Sequence, residues 1–182
     1  GVDRSAHLVD QLLALARNDP GARPATGRDA ARADTDLAAT ARDAIAGLRT
    51  LAQARGSTVA LTAPQSLPIR ADPDAMQALV RNLVDNALRH SPPGSRVEVE
   101  IAHHGDEARL IVDDSGSGIP EADRGRVFDR FHRRNAGDEP GSGLGLAIVK
   151  AIVDRHDGRI ELVDSPLGGL RAAVRLPSGM AS

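Results

Sequence analysis

Asn82 and Asn86, four residues apart in the stretch "LVRNLVDNALRH", are side chains whose type and spacing suggest chemistry. Asparagine is a poor helix former, so the pair needs a reason other than helix stability. A neutral amide offers an oxygen to a cation and an NH2 to an acceptor, and a guanidinium offers a planar fork of donors suited to phosphate. At about 100° per residue, Met76, Leu79, Val80, Leu83, Val84, Ala87 and Leu88 share one apolar face. The same arithmetic puts Asn82, Asn86 and Arg89 on a strip along the edge of that face, Asp85 further toward solvent and His90 near the boundary. Such a strip suits a metal-bound anion, and it equally suits a solvated helix edge.

Three further stretches decide between these readings. After the apolar run "LIVD" comes "DSGSGIP", where Asp114 precedes Gly116 and Gly118. The glycines let backbone turn tightly against a flat ligand, and the carboxylate can accept from an exocyclic amine such as that of adenine; an Asx turn leaving a strand has the same spelling. "FDRFHRR" holds Phe128 and Phe131, the chain's only aromatic residues, among Arg130, Arg133 and Arg134. Rings at that spacing are ordinary core residues, a role compatible with pinning one end of the small, polar loop "NAGDEPGS" while the arginines reach a terminal phosphate. The loop ends in "GSGLGLAIVK", where Gly141, Gly143 and Gly145 open a helix, and backbone amides at a helix N-terminus form an anion site. No lysine-bearing P-loop is spelled, and the turn follows a long loop rather than a strand, unlike a dinucleotide-binding turn.

The elements that must position these groups are legible from periodicity. Residues 2–17 carry an apolar stripe at helical spacing that calls for a partner helix, and residues 18–33, rich in Pro, Gly and charge, read as a linker. Asp36 caps a helix expected to run to about Ala54; Thr58–Thr62 and Leu67–Arg70 alternate as strands. Asp72-Pro73 opens the asparagine helix and His90-Ser91-Pro92-Pro93-Gly94 closes it. Strands are expected at Arg96–Ala102 and Ala108–Val112 around a Gly105-Asp106 turn, a helix over Gly143–His156 stopped by Gly158, and strands at Arg159–Val163 and Leu170–Leu176. Mixed order with hairpins implies an α+β fold, a two-layer α/β sandwich whose mixed, mostly antiparallel sheet is covered by helices on one face and preceded by one helix.

In order and content, "NLVDNALRHS", "DDSGSGIP", "FDRFHR" and "GSGLGLAIVK" resemble the N, G1, F and G2 boxes of the ATP-binding catalytic domain of bacterial sensor histidine kinases, a Bergerat-type fold shared with gyrase, chaperone and mismatch-repair ATPases. The resemblance implies Mg²⁺ on Asn86, with Asn82 supporting metal or phosphates and Arg89 and His90 near phosphate or ribose. Asp114 would bind adenine in a pocket shaped by Gly116, Gly118 and Ile119. Arg130 and Arg133 would belong to a lid, Gly141, Gly143 and Gly145 would wrap the phosphates, and Phe131, Leu144 and Leu146 would stand among the nucleotide-binding residues, Asn82, Asn86, Arg130 and Arg133 being the groups that act in transfer. Residues 1–18 resemble the second helix of the family's dimerisation and phosphotransfer hairpin, 19–33 its linker and 34–182 the catalytic domain. None of His7, His90, His103, His104, His132 or His156 stands before an acidic residue and a following proline, the family's acceptor context. Transfer to a histidine on an upstream helix, relay to a response regulator receiver domain, a homodimeric parent with a membrane-borne sensor region and a cytoplasmic location for this piece are what the resemblance implies. The alternatives are a nucleotide-binding regulatory module without transfer, for which the lack of a general base beyond Asp85 speaks, and a serine kinase or ATPase of the same superfamily.

Composition bounds the rest. The 182 residues are 41% hydrophobic, enough for a core, with formal charge −2 and no cysteine, so neither a nucleic-acid-binding field nor thiolate chemistry is indicated. Lys150 is the single lysine among 23 basic residues, which reads as coding bias. Without an initiating methionine, Gly1 is expected to begin a piece of a longer protein.

Overall fold

A computed structural model describes residues 32–129 and 143–179. The expected helix over 2–17 and most of the linker therefore lie outside the described residues. The elements are β1 (Ala33–Asp36), α1 (Leu37–Gly47), α2 (Arg49–Ala54), β2 (Thr58–Thr62), β3 (Pro68–Ala71), α3 (Pro73–His90), β4 (Arg96–His104), β5 (Glu107–Asp114), two short 3₁₀ turns (Glu121–Asp123 and Arg126–Phe128), α4 (Gly145–Arg155), β6 (Arg159–Asp164) and β7 (Leu170–Pro177). No helix among the described residues is long and apolar enough to cross a membrane.

Five strands form one sheet in the order β2-β4-β5-β7-β6, with β2 parallel to β4 and the other pairings antiparallel. Register places Val99, Val112, Ala172 and Leu162 in one row and Ile101, Leu110, Val174 and Ile160 in the next, all on the face that meets the helices. Side chains alternate between faces with period two, so the other face of the same strands carries Glu100, Arg109, Arg175 and Glu161. Across the core, α3 presents Met76, Leu79, Val80, Leu83, Val84, Ala87 and Leu88, each at most 3% exposed. Burying a large aliphatic side chain contributes roughly 1.5–3 kcal/mol, so this single helix face is a main source of stability.

Local chemistry fixes α3 at both ends. Asp72 accepts from Asp74 N and Ala75 N at 3.1 and 3.2 Å, with Pro73 at the first turn, as its sequence implies. At the other end Arg55 Nη2 donates to Ser91 O at 2.9 Å, occupying a carbonyl the helix leaves unpaired.

Four expectations need correction. The segment 33–36, where the sequence suggested no strand, is one, paired antiparallel with β3 from Ala33↔Ala71 to Asp36↔Pro68. The helix expected to run from Asp36 to Ala54 breaks at Leu48 into α1 and α2. Helix α4 is closed by Asp157 at φ +56°, not by Gly158; Gly158 is required because a Cβ there would lie 2.5 Å from Arg175 O. Asp85, expected toward solvent, is 14% exposed and bound to Arg89.

His156, just past α4, is 4% exposed and joins that helix end to the start of α3. Its Nε2 accepts from Asp72 N at 3.2 Å, which leaves Nδ1–H to donate to Ile152 O at 2.8 Å. Burial holds its pKa below the ordinary 6.5, with Arg32 and Arg155 adding to the effect and Asp72 opposing it. The folded state then binds fewer protons than the unfolded one, so stability falls as pH drops through about 6.5 toward the lowered folded value. In thermal melts between pH 7.5 and about 5.5, the wild type is expected to lose more stability than His156→Gln. Parallel slopes would contradict a neutral buried imidazole.

Candidate functional site

At the end of β5 two consecutive carboxylates leave the strand by opposite faces. Asp113 lies directly across from Arg171 on β7 and is held by it through Nε at 2.9 Å and Nη2 at 2.9 Å, while Ser165 Oγ donates to it at 2.8 Å. This pair ties β5 to β7. Asp114 turns to the helix-covered side and is 6% exposed. Its Oδ1 accepts from Gly116 N at 2.8 Å and Leu170 N at 3.0 Å, and no described residue donates to its other oxygen. Burial raises the Asp114 pKa above the usual carboxylate value, against the two backbone amides and His90, which favour the charged form. The result is an acceptor fixed in direction, costly to bury, with one oxygen free for a ligand.

Glycines make the arrangement possible. A Cβ on Gly169, in the turn between β6 and β7, would stand 2.1 Å from Asp114 Oδ1 and 2.4 Å from Gly116 N. A Cβ on Gly116 would stand 2.9 Å from His90 O and 3.0 Å from both Asp114 Oδ1 and Ser91 Oγ. The end of α3, the turn after β5 and the turn before β7 thus converge more closely than side chains permit. Gly118 takes φ +67° and faces Gly169 O, and Ile119 behind it joins the core at 9% exposed.

Along the edge of α3 the Asn82 Nδ2 donates to Ala78 O at 2.7 Å, leaving Oδ1 3.6 Å from where a Cβ of Gly145 would sit. The first asparagine therefore faces the start of α4. Asn86 is half-buried and its amide makes no hydrogen bond to a described residue. Arg89 Nε is held by both oxygens of Asp85 at 3.0 and 2.8 Å, so that carboxylate is neutralised and poorly placed to act as a base. His90 is exposed at the helix end.

Helix α4 begins after Gly143, which takes φ +66°, with the fully buried Leu144 at its N-cap. A leucine side chain cannot cap, and the first turn carries no acidic residue, so among the described residues no side chain answers the helix dipole there except Asn82, whose Oδ1 lies near Gly145. Leu146 is buried and anchors the turn. An anion is the natural complement of such an end. Phe128 is half-buried against the core, as an anchor requires, whereas Arg130, Phe131, Arg133 and Gly141 lie outside the described residues.

The structure brings Asn82 beside Gly145 and the end of the same helix beside Gly116 and Asp114, with Asn86 between these two points along α3. Sequence reasoning missed Gly169, Leu170, Asp113–Arg171 and Ser91. The only signal for Gly169 was the pair in "SPLGGL", which reads as an ordinary hairpin turn. A magnesium ion fits only in part: no cluster of three His, Cys, Asp or Glu that could hold a metal exists among the described residues. Asn86 offers one neutral oxygen, which suits a cation that keeps its water and arrives on phosphates.

Residues 71–180 match the family described as histidine kinase-, DNA gyrase B- and HSP90-like ATPase. The signal transduction histidine-protein kinase/phosphatase MprB of Mycobacterium sp. (strain KMS) is 48% identical over 100 residues, 54% of this chain and 19% of that protein. The sensor protein SphS of Synechococcus elongatus is 35% identical over 184 residues, 96% of this chain and 44% of that protein. The chain therefore spans less than half the length of these relatives. A solved structure of a mycobacterial sensor histidine kinase MprB superposes with a TM-score of 0.71 at 31% identity, covering 80% of this chain and 97% of that one.

Two outcomes follow from the geometry. Gly169→Ala is expected to cost roughly 1–3 kcal/mol in denaturant unfolding, because the methyl group forces Asp114 off its amides; a cost below about 0.5 kcal/mol would contradict the close approach. Folded Asp114 takes up its proton at higher pH than the unfolded residue, so its charge is a net cost at neutral pH that acidification relieves. Asp114→Asn should therefore melt as high as the wild type or higher at pH 7, and the difference should shrink as the pH is lowered toward 4. A constant difference would contradict it.

Proposed function

Because the chain belongs to the histidine kinase-, DNA gyrase B- and HSP90-like ATPase family, we propose that it is the ATP-binding catalytic domain of a sensor histidine kinase. Its relatives bear the names of such kinases. The observation that carries the reading is Asp114: a buried carboxylate with one oxygen fixed by two backbone amides and no described residue donating to the other. The free oxygen of Asp114 accepts from the adenine amine, and the glycine backbone at Gly116 and Gly118 lies against the base. The amides opening α4 receive the phosphates, with Asn82 steering them from α3. Asn86 would hold a magnesium ion carried by the nucleotide, and that ion would supply positive charge to the phosphates. Arg89 and His90 lie on the same helix toward the ribose and phosphate side.

Chemistry of this kind asks the protein for position and charge more than for a base, which agrees with the neutralised Asp85. The γ-phosphoryl leaves the bridging oxygen of ADP for a ring nitrogen of a histidine on an upstream helix of a longer, dimeric and membrane-associated parent. A response regulator receiver domain then takes it onto an aspartate.

A longer chain that includes the upstream hairpin, incubated with ATP labelled at the γ position, is expected to gain an acid-labile, base-stable phosphohistidine. ATP binding without that label would favour a regulatory module. Asn86→Ala should weaken Mg·ADP by about tenfold or more while shifting stability by less than about 0.5 kcal/mol, since its amide supports no described contact. Unchanged affinity would remove Asn86 from the site.

A further inference from the structure

The five-stranded sheet has two edges, and they are built differently. At one, β6 spells Arg-Ile-Glu-Leu-Val-Asp, and charges at Arg159, Glu161 and Asp164 discourage a further strand from pairing there. At the other, β2 spells Thr-Val-Ala-Leu-Thr, without charge, proline or glycine, and each of its residues is exposed or half-exposed. Its parallel pairing decides which backbone groups are used. Thr58 N donates to Ser95 O at 3.0 Å, so Thr58, Ala60 and Thr62 direct their amides and carbonyls inward to β4. Val59 and Leu61 direct theirs outward, and no described residue receives those groups. In register with β4, Val59 and Leu61 stand beside Val97 and Val99 on the helix-covered face, and Ala60 stands beside Glu98 on the open face.

The strand is also its own complement. Laid antiparallel on a second copy about a two-fold axis through Ala60, Thr58 meets Thr62, Val59 meets Leu61 and Ala60 meets Ala60, with no like charges opposed. In that register the outward groups of Val59 face the outward groups of Leu61, so each finds a partner, and Ala60 falls in the non-hydrogen-bonded pair between them. A shift by one residue would set outward groups against inward ones. We infer that β2 is a self-association edge, through which two copies of this chain join their sheets antiparallel about Ala60. One such contact uses β2 of both copies, and the charges on β6 oppose growth from the far edge, so the assembly closes as a pair. The contact is separate from the apolar stripe in residues 2–17 and does not rest on the nucleotide site.

The test uses the whole chain. Sedimentation equilibrium of the wild type is expected to show a monomer–dimer equilibrium, and Ala60→Lys, which sets two ammonium groups across the axis, should weaken it by about tenfold or more. Mixing Ala60→Lys with Ala60→Glu should restore association, which misfolded variants would not do. Register is read by cross-linking, since the chain has no cysteine of its own. The Cα atoms of a non-hydrogen-bonded pair stand about 4.5 Å apart, within disulfide reach, so Ala60→Cys oxidised with diamide should run as a covalent dimer. Thr62→Cys should not, because its counterpart across the axis is roughly 14 Å away. A wild type that is monomeric at every concentration overturns the inference. So does a dimer that Ala60→Lys leaves unchanged, which would place association elsewhere in the chain. A mixture that stays monomeric, or Thr62→Cys cross-linking as efficiently as Ala60→Cys, overturns the proposed pairing as well.

Discussion

The site depends on one oxygen atom. Asp114 Oδ1 accepts from Gly116 N and Leu170 N, and in doing so joins the turn after β5 to the start of β7. Gly169 N donates in addition to the Asp114 carbonyl at 3.2 Å. A residue read as a ligand-binding carboxylate is therefore also the knot that holds two turns against the end of α3. Because the geometry is set by backbone amides, the free oxygen points the same way before any ligand arrives, and little conformational entropy remains to be lost on binding.

Two neighbouring aspartates are treated differently by the fold. Asp113 is matched by Arg171, whose pKa is raised by that carboxylate, and the pair closes the β5–β7 ladder on the solvent side. Asp114, one residue on, receives only amides and carries the cost of burial unmatched by a full positive charge. Unfavourable burial of that kind persists where the group is used for something else.

Features with local causes were legible in the sequence. Asp72-Pro73 announces α3, Gly105 at φ +61° makes the β4–β5 turn, and the apolar stripe of α3 is the buried face observed. The asparagine strip and the Asp114 glycine turn were legible because each lies within one short segment. What was not legible rests on distant pairing. The strand Ala33–Asp36 has no alternation of its own and exists by pairing with Pro68–Ala71, more than thirty residues away. The parallel pairing of β2 with β4 requires a crossover through β3 and α3 that no local signal encodes. Gly169 and Ser91 sit at the site only because the sheet brings the β6–β7 turn beneath the end of α3, and Asp85 is drawn from solvent by Arg89 one turn along.

The most direct measurement is a calorimetric titration of the wild-type chain with ADP and with GDP, each with and without Mg²⁺. The account predicts saturable ADP binding that magnesium strengthens, and GDP binding weaker by at least about tenfold, since a fixed carboxylate only accepts and guanine presents a carbonyl acceptor where adenine presents its amine. Equal affinity for the two nucleotides, or no heat with either, would contradict the claim that Asp114 is a base-reading group.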